Sequence, residues 1–263
     1  MTTFFIETDL EGKPLHDFSF HLVQAVAFHE WKYGRSSFAI QYSFGDETDR
    51  ADGADVAKIA EIADKIPIGS LPFVLKHLDN VQKVTPLNVP DVLNVEQFTG
   101  RTYRKNMRKI EMEAYELPLF VKESARYKGI TDIISSKEDV EMLPDVDYDI
   151  SEVIDIQSEW RVFVQMDEVV GVKNYGAENV FPLPVDKKQV LDMVKTIERA
   201  RYDGYAFPLS YTLDIAVNES GSFLIEAHPF VSCGLYGFAD YQRLPSMMIQ
   251  GYRYMQQQAG LLS

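Results

Sequence analysis

The chain has 263 residues, 46% of them hydrophobic, enough to bury an ordinary globular core. Its 40 acidic and 26 basic side chains leave a net charge of −14, which disfavours nonspecific binding to a nucleic-acid backbone. No run approaches the roughly 20 apolar residues that span a bilayer. The N-terminus has no basic stretch followed by an apolar one, and the single cysteine, Cys233, excludes internal disulfides and thiolate clusters. The expectation is a cytoplasmic protein with neither membrane nor nucleic-acid partners.

The first third alternates between the two periodicities. Phe4 to Glu7 reads as a strand, Phe18 to Trp31 as an amphipathic helix, Phe38 to Phe44 as a period-2 strand, and Ala54 to Lys65 as a second helix. Such alternation suggests a small doubly wound layer. Ile68-Gly69-Ser70 turns into a short helix, with Ser70 as N-cap and Pro72 inside the first turn. The two prolines of Thr85 to Pro90 favour extended backbone, so the lobe boundary is drawn there: residues 1–90, then 91–263.

Arg101, Arg104, Lys105, Arg108 and Lys109 crowd one segment, and 101, 104, 105 and 108 would share a face if it were helical. A solvated face balanced by Glu111, Glu113 and Glu116 explains this cluster about as well as a phosphate-facing one. Leu117 to Lys122 is a short apolar strand ending in a lysine. Ile150 to Ile156 reads as another, leading into Ser158 to Met166. Arg161-Val-Phe-Val and Val169-Val-Gly-Val then form a hairpin about an acidic turn. Asp186 to Arg201 is the clearest helix, with Val190, Met193, Val194, Ile197 and Ala200 on one face and a capping-box pattern at Asp186 and Gln189. Leu244 to Leu261 is a Met- and Tyr-rich packing helix, and the aromatic region from Phe230 to Tyr254 offers an oligomer interface.

The chemistry concentrates in two strands, Tyr211 to Asn218 and Phe223 to Pro229, joined by a Glu-Ser-Gly turn. Asp214 and Glu226 stand among apolar neighbours, and buried carboxylates need a cation, a proton or a polyphosphate complex beside them. His228 follows two residues after Glu226, while the other four histidines form no HExxH or short paired motif. Lys122 by itself reads as a strand-end lysine reaching solvent. Arg161 by itself reads as a same-face partner of Glu159. Cys233 reads more simply as a small buried filler than as a nucleophile. The sequence has no GxSxG, no GxGxxG after a strand and no GxxxxGK[ST] loop.

Taken in order, these residues suit a magnesium-bound nucleoside triphosphate: cations for phosphate oxygens, an apolar slot, carboxylates for the metal. The ordered set Ile66-Pro-Ile-Gly-Ser, Pro86-Leu-Asn-Val-Pro, Phe120-Val-Lys122, Ser158-Glu-Trp-Arg-Val-Phe-Val, Thr212-Leu-Asp214, Phe223-Leu-Ile-Glu226-Ala-His228 and Gly234-Leu-Tyr-Gly resembles the ATP-grasp superfamily. The resemblance is to its clade marked by one arginine, here Arg161, and two lysines, here Lys122 and Lys173.

It implies a mixed α/β and α+β chain: an ATP-grasp fold whose two subdomains grip ATP, hinged near 150–157, behind an N-terminal Rossmann-like pre-ATP-grasp lobe. It implies an ATP-dependent ligase that activates a small-molecule or peptide carboxylate as an acylphosphate for attack by an amine, with a small-molecule kinase or a catalytically weakened binding module as the alternatives. Lys122 and Arg161 would act on the phosphates, with Arg104, Glu159 and Lys173 also near the nucleotide. The backbone of Glu152, Val153 and Ile154 would meet the adenine edge. Asp214 and Glu226 would bind magnesium. His228 departs from the asparagine usual in the family, and three roles stay open for it: a bond to a phosphate oxygen, acceptance of manganese at Asp214, Glu226 and His228, or packing beside Pro229 in a weakened enzyme.

Overall fold

The computed structural model describes residues 1–34, 37–43, 65–177 and 180–262. The helix expected from Ala54 lies outside the described residues, and Lys65 already belongs to a strand. The chain forms two compact units. Residues Met1–Val84, Pro208–Tyr211 and Pro229–Ser263 make the first, and Thr85–Phe207 with Thr212–His228 make the second. The C-terminal segment from Pro229, given to the second domain on sequence, groups with the first unit. No helix among the described residues is long and apolar enough to cross a membrane.

In the first unit, β1 (Thr2–Ile6), β2 (Phe38–Tyr42) and β3 (Lys65–Ile68) pair in parallel in the order β2-β1-β3. Parallel neighbours require a crossover, and α1 (Asp17–Tyr33) supplies the one from β1 to β2. Phe4, Phe5 and Ile6 are buried with Leu22, Ile68 and Phe73, the core of an α/β layer. The short α2 (Leu71–Lys76) starts as its sequence indicates: the Ser70 hydroxyl accepts from the Phe73 N–H at 3.3 Å. The C-terminal helix α6 (Leu244–Gln258) packs against α1 and β3, with Met247, Met248, Tyr252 and Met255 buried. Gly251 sits so close to the backbone of Phe230 that a Cβ there would collide with it.

The second unit contains two antiparallel sheets. One has the order β4-β7-β5-β6, from β4 (Tyr103–Arg108), β5 (Leu119–Glu123), β6 (Thr131–Ile134) and β7 (Asp147–Glu152). Met112, Leu119, Val121, Ile134, Val140, Tyr148 and Ile150 form its core. A 3-10 stretch, Lys109–Ala114, and α4 (Lys137–Met142), capped by Ser136 and Asp139, carry part of that cluster.

The basic segment is therefore a strand and not a helix, and the helical face drawn through 101, 104, 105 and 108 does not exist. A bulge between Arg104 and Met107 interrupts the strand. Earlier in the same unit, α3 (Glu96–Thr99) ends on Gly100 at φ +65°, where a Cβ would strike the Phe223 ring.

The other sheet has the order β11-β10-β8-β9, from β8 (Ser158–Gln165), β9 (Glu168–Ala177), β10 (Ser210–Asn218) and β11 (Gly221–Pro229). Strands β8 and β9 form the expected hairpin, closed by Met166 and Asp167 at φ 49° and 64°, the positive pair of a primed two-residue turn. The helix α5 (Lys187–Tyr202) is capped by Asp186, whose carboxylate accepts from the N–H groups of Lys188 and Gln189. It buries Val190, Met193, Val194 and Ile197 and contacts β9.

Candidate active site

Side chains alternate along a strand, so residues two apart share a face. On β11 that rule places Glu226 and His228 together, and on β8 it places Glu159 with Arg161. Arg161 Nε donates to Asp214 Oδ1 at 2.8 Å and its Nη2 to Oδ2 at 2.7 Å, a bidentate pair between buried residues of β8 and β10. From the other sheet, Lys122 on β5 pairs with Glu226 Oε2.

His228 Nε2 lies 2.8 Å from the second oxygen, Glu226 Oε1, and 3.9 Å from Asp214 Oδ2. Burial raises the Glu226 carboxyl, but His228 and Lys122 outweigh it and hold the group well below the usual carboxylate range. Asp214, Glu226 and His228 each offer a ligand atom, all within 4.8 Å of one another. Two carboxylates and an imidazole at that spacing suit a divalent cation.

Lys173 stands directly opposite Arg161 in the hairpin register. Beyond it the register shifts: Glu159 pairs with Gly176 but Trp160 with Asn174, which leaves Tyr175 as the extra residue of a bulge. The Asn174 amide closes the bulge by donating to the Glu159 and Gly176 carbonyls at 2.9 Å each. Tyr175 then covers Arg161, its ring 5.6 Å from the guanidinium carbon. Burial, the Asp214 charge and a hydrogen bond to Glu159 push its hydroxyl far up, so it remains a neutral donor. Sequence reasoning missed Tyr175; an Asn-Tyr-Gly run inside a strand was the available signal of a bulge.

Other candidates are placed differently. Arg104 faces Ile150, and Ile150 faces Val121, so Arg104 lies on the core side of its sheet, stacked 4.6 Å over Tyr115. Lys122 faces Asp149 and lies on the opposite side, so Arg104 is not brought to Lys122. Arg101 is buried: its Nε donates to Ser151 Oγ at 2.9 Å, and its Nη1 donates to the carbonyls of Thr99 at 2.9 Å and Leu224 at 3.2 Å. It joins the two sheets and does not face solvent. Glu152, Val153 and Ile154 leave β7 toward β8, and a groove of about 160 Å³ follows, lined by residues from Ile156 to Glu159 with Gly176 and Ala177. That volume is below the 300 Å³ or so typical of a small-molecule pocket.

Nothing in the sequence singled out Asp149. Its fully buried carboxylate accepts from the Asn88 amide and the Tyr103 hydroxyl at 3.0 Å, the Ser124 hydroxyl at 2.7 Å and the Asn106 N–H at 3.2 Å. Burial and Asp149 together raise the Tyr103 hydroxyl. The Asn88 carbonyl in turn accepts the Ala227 N–H at 2.7 Å, pinning β11 between Glu226 and His228.

Two antiparallel sheets that bring lysine, arginine and paired carboxylates together define an ATP-grasp protein. The chain belongs to that superfamily: residues 98–244, more than half of it, match the model of the ATP-grasp domain, family 2 of the clade named for one arginine and two lysines. Solved structures with the same fold include a RimK domain protein ATP-grasp from Sphaerobacter thermophilus DSM 20745, with TM-score 0.51, 12% identity and 99% of each chain covered. The D-alanine–D-alanine ligase of Bacillus anthracis is similar at TM-score 0.55 and 15% identity, over 97% of this chain and 98% of that one. The N5-carboxyaminoimidazole synthetase of Staphylococcus aureus complexed with ADP is similar at TM-score 0.57 and 10% identity, over 95% and 77%. Comparison with curated proteins gives no match.

Proposed function

We propose that the protein is an ATP-dependent ligase that activates a carboxylate as an acylphosphate and joins it to an amine, releasing ADP and phosphate. One observation carries this reading: Lys122 pairs with Glu226 and Arg161 with Asp214, and His228 stands between the two pairs. Each carboxylate is countered by a side-chain cation, and nucleotide binding re-partners both. Lys122 turns to the α- and β-phosphates, and the Arg161 fork, with Lys173 opposite, takes the γ-phosphate and its transferring charge. Asp214 and Glu226 would hold magnesium, which when bound neutralises developing phosphate charge. The backbone of Glu152 to Ile154 meets the adenine edge.

The substrate carboxylate oxygen attacks the γ-phosphorus, and the bridging oxygen leaves with ADP. The amine nitrogen next attacks the acyl carbon, the carbon–phosphate oxygen bond breaks, and the amine proton passes to solvent or the departing phosphate. The names of the D-alanine–D-alanine ligase and the synthetase among its structural neighbours support ligation. A cytoplasmic location belongs to the same proposal.

The test is ADP and phosphate release with magnesium and a panel of amino acids and short peptides. Turnover is expected to depend on both a carboxylate and an amine, and to disappear in Asp214→Asn and Glu226→Gln. Undiminished turnover in those variants would sink the metal assignment. A stable phosphorylated product without free phosphate would replace ligation by phosphoryl transfer to the substrate.

A further inference from the structure

We infer that His228 is a direct ligand of the nucleotide-associated cation and shifts the site from magnesium toward first-row transition cations, manganese among them. The inference rests on the ATP site proposed above and concerns which metal that site selects. The strand alternation of β11 puts Glu226 and His228 on one face, and the bond from Ala227 to Asn88 fixes the backbone between them.

Glu226 is divided between two partners, with Lys122 on Oε2 and His228 on Oε1. The three donor atoms lie within 4.8 Å of one another, near the roughly 3 to 4.2 Å that separates donors around a cation with bonds of about 2.1 Å. His228 Nε2 stands at 2.8 Å and 3.9 Å from the nearest oxygens of Glu226 and Asp214.

Magnesium takes oxygen ligands and sheds water reluctantly, whereas imidazole nitrogen suits the later transition divalents, with manganese the weakest binder of that series. An oxygen-only set at these positions would carry a weaker preference. The simpler role for His228, a hydrogen-bond partner that only orients Glu226, predicts no metal–nitrogen bond and no change in metal preference.

The experiment uses the full chain with a non-hydrolysable ATP analogue and Mn2+ as the probe, read by pulsed electron paramagnetic resonance. Expected is a nitrogen coupling to manganese that changes when the protein is labelled with 15N-histidine, which separates it from adenine nitrogen. That coupling should vanish in His228→Asn and in His228→Gln, each first checked for an unchanged circular dichroism spectrum. Calorimetry on the same samples should find the Mn2+-to-Mg2+ affinity ratio lowered in the variants. Analogue binding with no histidine coupling would overturn this inference and leave the ATP reading intact. No analogue binding with either cation would overturn both.

Discussion

Arg161 and Asp214 meet fork to fork, two parallel hydrogen bonds of 2.8 and 2.7 Å between side chains with 11% and 4% exposure. Removing one member of such a buried pair takes from the other its bidentate partner, a loss of about 3 kcal/mol or more. Asp214→Asn should lower stability by that order in urea unfolding. The double replacement Arg161→Met with Asp214→Leu should recover most of it, because an apolar pair of similar volume replaces a buried ion pair at little cost. A single-variant loss below about 1 kcal/mol would mean that the pair behaves as a solvated one.

Asp149→Asn tests the buried carboxylate that gathers four donors. The amide can accept at one position only, and its NH2 group opposes donors already aimed at it, so a loss of about 2 to 3 kcal/mol is expected. Because Asp149 also holds the Asn106 N–H inside the β4 bulge, amide exchange at Asn106 should quicken more than exchange across the rest of β4.

Arg101 and Arg104 should separate cleanly. Arg101→Lys keeps the charge but cannot reach Ser151, Thr99 and Leu224 at once, and should destabilise by about 2 kcal/mol. Arg104→Gln should leave ATP affinity within about twofold, since its side chain lies across the sheet from Lys122. A tenfold loss of affinity in Arg104→Gln would contradict that placement.

Burial, helped by Asp79, pushes the Tyr252 hydroxyl up to about 12 from 10.0. A group whose folded value is raised contributes stability that is complete below its unfolded value and fades as pH climbs through the folded one. The Tyr252 contribution should therefore be intact below pH 10 and disappear toward about pH 12. Tyr252→Phe should show a shallower decline across that window in stability measured against pH. Equal slopes in the two proteins would remove Tyr252 from the alkaline transition.

Much of the fold was legible because its periodicities are plain: α5 with its Asp186 cap, the β8–β9 hairpin, and the Ser70 turn all follow from local spacing. The charges of Lys122, Arg161, Asp214 and Glu226 stood out because apolar strands surround them. What stayed hidden depends on register. The basic segment carries charges at helical spacing, yet pairing with β7 makes it a strand, and one bulge decides which side Arg104 faces. Nothing local marks Asp149, whose partners Asn88, Tyr103 and Ser124 converge on it from distant parts of the chain. Tyr175 reaches Arg161 only because β9 is one residue longer than its partner at that point.

The pairing of Lys122 with Glu226 and of Arg161 with Asp214 has an electrostatic outcome at long range. Two positive and two negative groups cancel within the two pairs, on a chain that carries −14. Beyond the short reach of Lys173, an approaching polyphosphate is repelled by the bulk charge of the chain. Its association rate should accordingly rise as added salt shortens the range of that repulsion, the reverse of the trend for an anion drawn in by a basic cleft.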